Sequence, residues 1–129
     1  MKRLLTLLVL TLPSLAMADI GKYGTVTVAD SGTDSTEIAM MQYSFITLFL
    51  PNTLEGTTLQ WKCAGQPGGT GVTIDDSADA ACANTLTATT AAVVAPPSGD
   101  CAVAVAGCPY LTIVFGAQTG ASTIEYYLK

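Results

Sequence analysis

Histidine is absent from all 129 residues of the chain. Without it, Ser-His-Asp and Cys-His catalysis are excluded, and a zinc site would be left with thiolates alone. Basic residues are also scarce, with five lysines and arginines against ten carboxylates. Two of those five, Lys2 and Arg3, lie at the very start; from Asp19 onward only Lys22, Lys62 and Lys129 oppose the ten carboxylates, a net charge of −7. Phosphate backbones are held by clustered Lys and Arg, so the charge excludes nucleic acid as a partner and favours solubility. No G-x-S-x-G nucleophile elbow is present. Gly68-Gly69-Thr70-Gly71 lacks the G-K-[ST] ending of a phosphate loop. Helix formers are few after residue 18, and no helical periodicity appears there.

What the chain does have is apolar content. Half its residues are apolar and only 12% are charged, which suits one domain with a buried core rather than a disordered chain. The one long apolar run, Leu4 to Leu12, follows Lys2-Arg3 and precedes Pro13-Ser14 and Ala16-Met17-Ala18. A charged start, a short apolar stretch and a small-x-small site describe a signal peptide. The run is shorter than the ~20 apolar residues of a spanning helix. Residues 1–18 are therefore expected to be a signal-like helix cleaved after Ala18. Residues 19–129 then form a single domain with no stable membrane insertion.

Four cysteines remain, Cys63, Cys82, Cys101 and Cys108. An even count in an exported chain reads as two disulfides. Three pairings are possible, and the two local closures, Cys63–Cys82 and Cys101–Cys108, are expected. There is no C-x-x-C spacing to suggest a metal site.

The rest reads as short strands between turn signals. Gly24 to Ala29 alternates Thr and Val, and Asp30 to Ser35 is a polar turn cluster. Thr36 to Met41 reads as a second short strand. Tyr43 to Leu50 is apolar on both faces, as in a strand covered on both sides, and Pro51 ends it. In Thr57 to Cys63 the residues Leu59, Trp61 and Cys63 point one way and Thr58, Gln60 and Lys62 the other. Val72 to Ile74, Leu86 to Ala95 and Tyr110 to Gly116 follow as strands. Cys101 to Cys108 is compatible with a strand or one helical turn, and its tight cysteine bracket before Pro109 favours a compact turn. Ser122 to Leu128 closes the chain with Ile124, Tyr126 and Leu128 on one face. The first and last strands are expected at an edge or paired with each other. About seven or eight strands in this rhythm predict an all-β fold, an antiparallel β-sandwich of jelly-roll or immunoglobulin-like type.

Few residues invite chemistry. A Ser-Lys dyad would have to use Lys22 or Lys62, and neither sits in a motif. A glycosidase pair would come from Glu37, Glu55, Asp100 and Glu125, but no spacing brings two of them together; solvated carboxylates are the favoured reading. Asp75, Asp76 and Asp79 share one loop, where calcium is the alternative to a solvated turn, although the spacing is not that of an EF-hand. Trp61 shares a face with Leu59 and reads as core. Tyr127 is out of line with Ile124, Tyr126 and Leu128, so it is the tyrosine expected to face a ligand such as carbohydrate. No cofactor is called for, and no catalytic residue is assigned.

One series of segments points to a family. The apolar strand from Tyr43 to Leu50-Pro51 leads into Leu54-Glu55-Gly56-Thr57-Thr58-Leu59-Gln60-Trp61. Later come Pro109-Tyr110-Leu111-Thr112-Ile113 with Gly116, and the end Thr123-Ile124-Glu125-Tyr126-Tyr127-Leu128-Lys129. This resembles a group of small β-sandwich proteins encoded by tailed phages and placed among virion structural genes. In that group a Pro…Leu-x-Gly-x-x-Leu-x-Phe/Trp segment leads into an inner strand, and the final strand ends in Leu-Lys or Leu-Arg. The resemblance covers residues 24–63 and 108–129. It implies a non-catalytic virion protein that decorates or joins the head or tail, binding other virion proteins in many symmetric copies. The signal-like start and the cysteines point instead to a secreted or periplasmic β-sandwich, an adhesin-like, filament or carbohydrate-binding module. Both readings are carried forward.

Overall fold

The computed structural model describes residues 21–129. The expected signal segment, residues 1–18, and its cleavage point lie outside the described residues. Nine strands and one helix follow in order: β1 (Lys22–Val28), β2 (Ile38–Ala39), β3 (Ile46–Leu50), β4 (Thr58–Ala64), β5 (Val72–Thr73), β6 (Ala83–Thr85), β7 (Ala92–Val94), α1 (Asp100–Ala106), β8 (Tyr110–Val114) and β9 (Ser122–Leu128). The fold is all-β and sandwich-like, with two antiparallel sheets. The first has the order β1-β9-β3-β7; the second has β2-β8-β4-β5, with β6 also paired to β4.

Strand periodicity explains the core. In β9 the residues Ser122, Ile124, Tyr126 and Leu128 are buried while Thr123 and Glu125 are exposed, the two-residue period of a half-buried strand. Val26 and Val28 of β1 and Ile46, Leu48 and Leu50 of β3 turn inward from the same sheet. Leu59 and Trp61 of β4 and Leu111 and Ile113 of β8 meet them from the other. These side chains form one continuous cluster. Residues 33–36 join the sheets at one corner. Thr36 N–H donates to Thr27 C=O at 2.8 Å, and Ser35 N–H donates to Ile113 C=O at 2.8 Å. The first and last strands do pair with each other, from Lys22 with Leu128 to Val28 with Ser122. Of these two strands β1 is at an edge, whereas β9 lies between β1 and β3.

Several expectations are corrected. The disulfides join Cys63 to Cys108 and Cys82 to Cys101, so the bonds are nested, not the local Cys63–Cys82 and Cys101–Cys108. Sheet register is the cause. Cys63 pairs with Leu111 across β4 and β8, so Cys108 arrives beside it. Ala83 pairs with Gln60, which leaves Cys82 out of line with Cys63. Asp-N digestion of the non-reduced protein will check this. Cleavage before Asp75, Asp79 and Asp100 puts Cys63, Cys82 and the pair Cys101/Cys108 on separate peptides. The nested pattern keeps all three joined as one mass, whereas local pairing would release the peptide starting at Asp100 alone.

The stretch expected as a compact turn is a helix, Asp100–Ala106. Its Val-Ala alternation hides a helical pair, Cys101 and Val105, which are four residues apart and both buried. Gly99, at φ +77°, turns the chain into it, and Gly107 N–H donates to Val103 C=O at 3.0 Å. Of the expected strand Leu86 to Ala95 only Ala92–Val94 pairs, and Ala83–Thr85 forms a strand ahead of it. Among the described residues the strands number nine rather than seven or eight because four of them have two or three residues. Strand β3 is inner in its sheet but not covered on both sides, since Phe49 is exposed.

The β3–β4 and β8–β9 loops are locked by a residue the sequence did not single out. Gln118, only 2% exposed, donates through Nε2 to the carbonyls of Glu55 (2.8 Å) and Gly116 (2.6 Å), and its Oε1 accepts from Glu55 N–H (2.9 Å). Backbones nearly touch beside it: a Cβ on Gly56, already at φ +105°, would lie 2.7 Å from Gly116 N. Gln118→Ala strands these buried groups, so it is expected to lower unfolding free energy by about 2 kcal/mol. A urea melt matching the parent would refute the clamp.

Candidate functional site: an aromatic sheet face

The outer surface of the first sheet carries the most distinctive arrangement of side chains. Since β1, β9 and β3 bury alternate residues, the residues between them form an outward face. Cross-strand register sets its rows. Tyr23, Tyr127 and Thr47 lie side by side. Thr25, Glu125, Phe49 and Val93 form the next row. Phe45, paired with Lys129 through two backbone hydrogen bonds of 2.9 and 3.0 Å, extends the face at one end. Tyr23 is 72% exposed, Val93 69% and Phe45 51%. The Tyr23 and Tyr127 rings pack at 4.6 Å between centroids, tilted by 39°, a favourable aromatic geometry. Glu125 is the charged side chain within these rows.

Tyr127 therefore faces outward, in line with its expected orientation, but it is half-buried against Tyr23. Tyr126 points the other way, and a Cβ at Gly24 would run into its ring. Phe45, Phe49 and Val93 were missed. Their runs read as uniformly apolar, and only the sheet register shows which residues leave the core.

The other candidates are scattered. Trp61 is fully buried and donates its indole N–H to Asn84 Oδ1 at 3.0 Å, so it belongs to the core and not to a sugar platform. Asp76 Oδ1 caps its own loop, accepting from Ala78 N–H (2.8 Å) and Ala80 N–H (3.0 Å), while Asp75 and Asp79 are exposed. Among the described residues no three carboxylates or cysteines gather where a metal ion could be held. Glu37 Oε2 accepts from Gly68 N–H at 3.0 Å, so the glycine-rich loop is tied to a carboxylate. Glu55 Oε1 accepts from Thr119 Oγ1 at 2.6 Å. Asp100 opens α1, and Glu125 sits in mid-β9. The four carboxylates thus stand on separate elements. Lys22 begins β1. Lys62 Nζ is 2.9 Å from Asp34 Oδ2. Partial burial pushes the Asp34 carboxyl upward, but hydrogen bonds from Lys62 and Thr33 and the Lys62 charge outweigh it and hold the carboxyl below its usual value.

Among the described residues no helix is long and apolar enough to cross a membrane. Comparison with protein-family models, with curated proteins and with solved structures found no match.

Proposed function

We propose that the chain is a non-catalytic structural subunit of a phage particle, a jelly roll that decorates or joins the head or tail. The observation that carries this reading is the strand order. Counting β5 and β6, which lie along the same side of β4, as one strand, the sheets run first-eighth-third-sixth and second-seventh-fourth-fifth. This alternation of sheets supports a jelly roll, a double Greek key that recurs in viral capsid and lectin domains. An immunoglobulin-like order would instead keep several consecutive strands in one sheet. The segments that resemble phage virion proteins include β3, β4, β8 and β9, the inner strands of both sheets. The mechanism is surface complementarity with other virion proteins in many symmetric copies, and it needs no cofactor.

A second reading has its own support. Two disulfides suit an oxidising compartment, and the outward Tyr23–Tyr127 pair suits a carbohydrate-binding module of a secreted or periplasmic protein. Intact mass on purified particles and on secreted fractions separates the two. The chain at high copy in virions supports the first. A chain beginning at Asp19, four hydrogens short and confined to the secreted fraction, overturns it in favour of the second.

A further inference from the structure

We propose that two copies of this chain associate by antiparallel pairing of their β1 strands, joining the first sheets into one continuous sheet. The proposal starts from unequal edges. Of the strands at the sheet margins, β2 and β5 have two residues each, and β6 and β7 have three; Pro96 and Pro97 follow β7 closely. Short strands and nearby proline are how sheets blunt an edge. By contrast β1 has seven residues, no proline and no bulge in its register with β9.

Hydrogen-bond parity shows which groups that edge offers. Thr27 C=O accepts from Thr36 N–H (2.8 Å), and Thr27 N–H donates to Thr36 Oγ1 (3.2 Å). Thr27 therefore directs its backbone away from β9. Outward direction alternates along an antiparallel strand, so Tyr23 and Thr25 also present N–H and C=O outward. Among the described residues nothing pairs with them. From Thr27 onward the edge is occupied by residues 35 and 36, which confines an incoming strand to the Tyr23–Thr25 end.

A second copy fits this stub. Pairing centred on Gly24 sets Tyr23 of each copy against Thr25 of the other, each pair exchanging both N–H···O bonds. Charge selects the direction. Lys22 and Lys129 lie at one end of the β1–β9 pair and Asp30 just beyond the other. In this register Lys22 of each copy lies across from the uncharged Val26 of its partner, toward the end that leads to Asp30; parallel addition would place Lys22 against Lys22. For a domain of net charge −7, those lysines offset the general repulsion locally. The result is a closed two-fold contact that runs the Tyr23–Tyr127 face across both copies. It stands apart from the virion reading, since it needs no particle.

Sedimentation velocity on the oxidised protein tests this. A dimer is expected at high micromolar concentration. Thr25→Pro removes an N–H that faces away from β9, so it should give a monomer with unchanged near-ultraviolet circular dichroism and melting. Lys22→Glu should weaken dimerisation about tenfold, with the loss shrinking at high salt. A protein that stays monomeric overturns the proposal, as do a dimer that both variants leave intact and an open-ended series of oligomers. If Thr25→Pro fails to fold, Lys22→Glu decides alone.

Discussion

Reduction of both disulfides is expected to unfold this protein under conditions where the oxidised form is fully native. The bonds are nested, with Cys82–Cys101 (sequence separation 19) inside Cys63–Cys108 (sequence separation 45). In the chain-entropy model the inner bond contributes about 3 kcal/mol. Once it is closed it short-circuits the outer loop to roughly 28 residues of chain, so the outer bond adds about 3.5 kcal/mol rather than the larger figure its span suggests. Together these approach the whole stability of a typical domain, about 5–15 kcal/mol. The bonds also do specific work in the fold. They fasten both ends of α1, at Cys101 and just beyond it at Cys108, to the second sheet at Cys63 and beside β6 at Cys82. The helix has seven residues and no side-chain cap, too short to hold itself. Urea titrations with and without reductant will measure the effect. Replacing Cys82 and Cys101 by alanine should lower unfolding free energy by about 3 kcal/mol and leave a folded chain; full reduction should leave none. Superimposable oxidised and reduced titrations would show that the sheets need no staple.

The contrast between β9 and α1 explains how far the sequence could be read. Strand β9 was legible to the residue, because Ser122–Leu128 alternates cleanly and turn residues precede it. The same holds for the core of β4, where Leu59 and Trp61 declare the inward face. Helix α1 was ambiguous in the sequence because Val-Ala-Val-Ala carries a period of two while the burial has a period of four. Pairing of the cysteines was illegible for a different reason: it follows from which strands become neighbours, and β4 meets β8 only through long-range register. Much the same applies to the candidate site. Tyr127 could be placed outward from its own strand's alternation, but Tyr23, Phe49 and Val93 come from three other strands and Phe45 from just before β3, and their gathering is a property of the sheet. Gln118 carried no signal at all, since a buried glutamine in a turn looks like any polar loop residue until the carbonyls it serves are brought to it.

Trp61→Ala is expected to cost about 3–5 kcal/mol, the range for emptying a large buried aromatic site. Trp61 is fully buried in mid-β4, between β8 on one side and the β5/β6 side on the other. Its indole N–H also begins a polar chain through the interior. Asn84 Oδ1 accepts from Trp61 at 3.0 Å, and Asn84 Nδ2 donates to Ala95 C=O at 3.0 Å. The indole thus ties β4 through β6 to the end of β7, a strand of the opposite sheet. Two substitutions separate volume from polarity. Trp61→Phe keeps most of the ring but orphans the Asn84 carbonyl, at a cost of about 1–3 kcal/mol. Pairing Trp61→Phe with Asn84→Leu should cost less than the sum of the single changes, because the indole donor and its Asn84 acceptor are then removed together and only the Ala95 carbonyl loses its partner. Trp61 is the sole tryptophan, so its fluorescence follows unfolding in the parent, and circular dichroism must serve for the variants. A Trp61→Ala chain within about 1 kcal/mol of the parent would remove Trp61 from the core, and with it the polar link it makes between the two sheets.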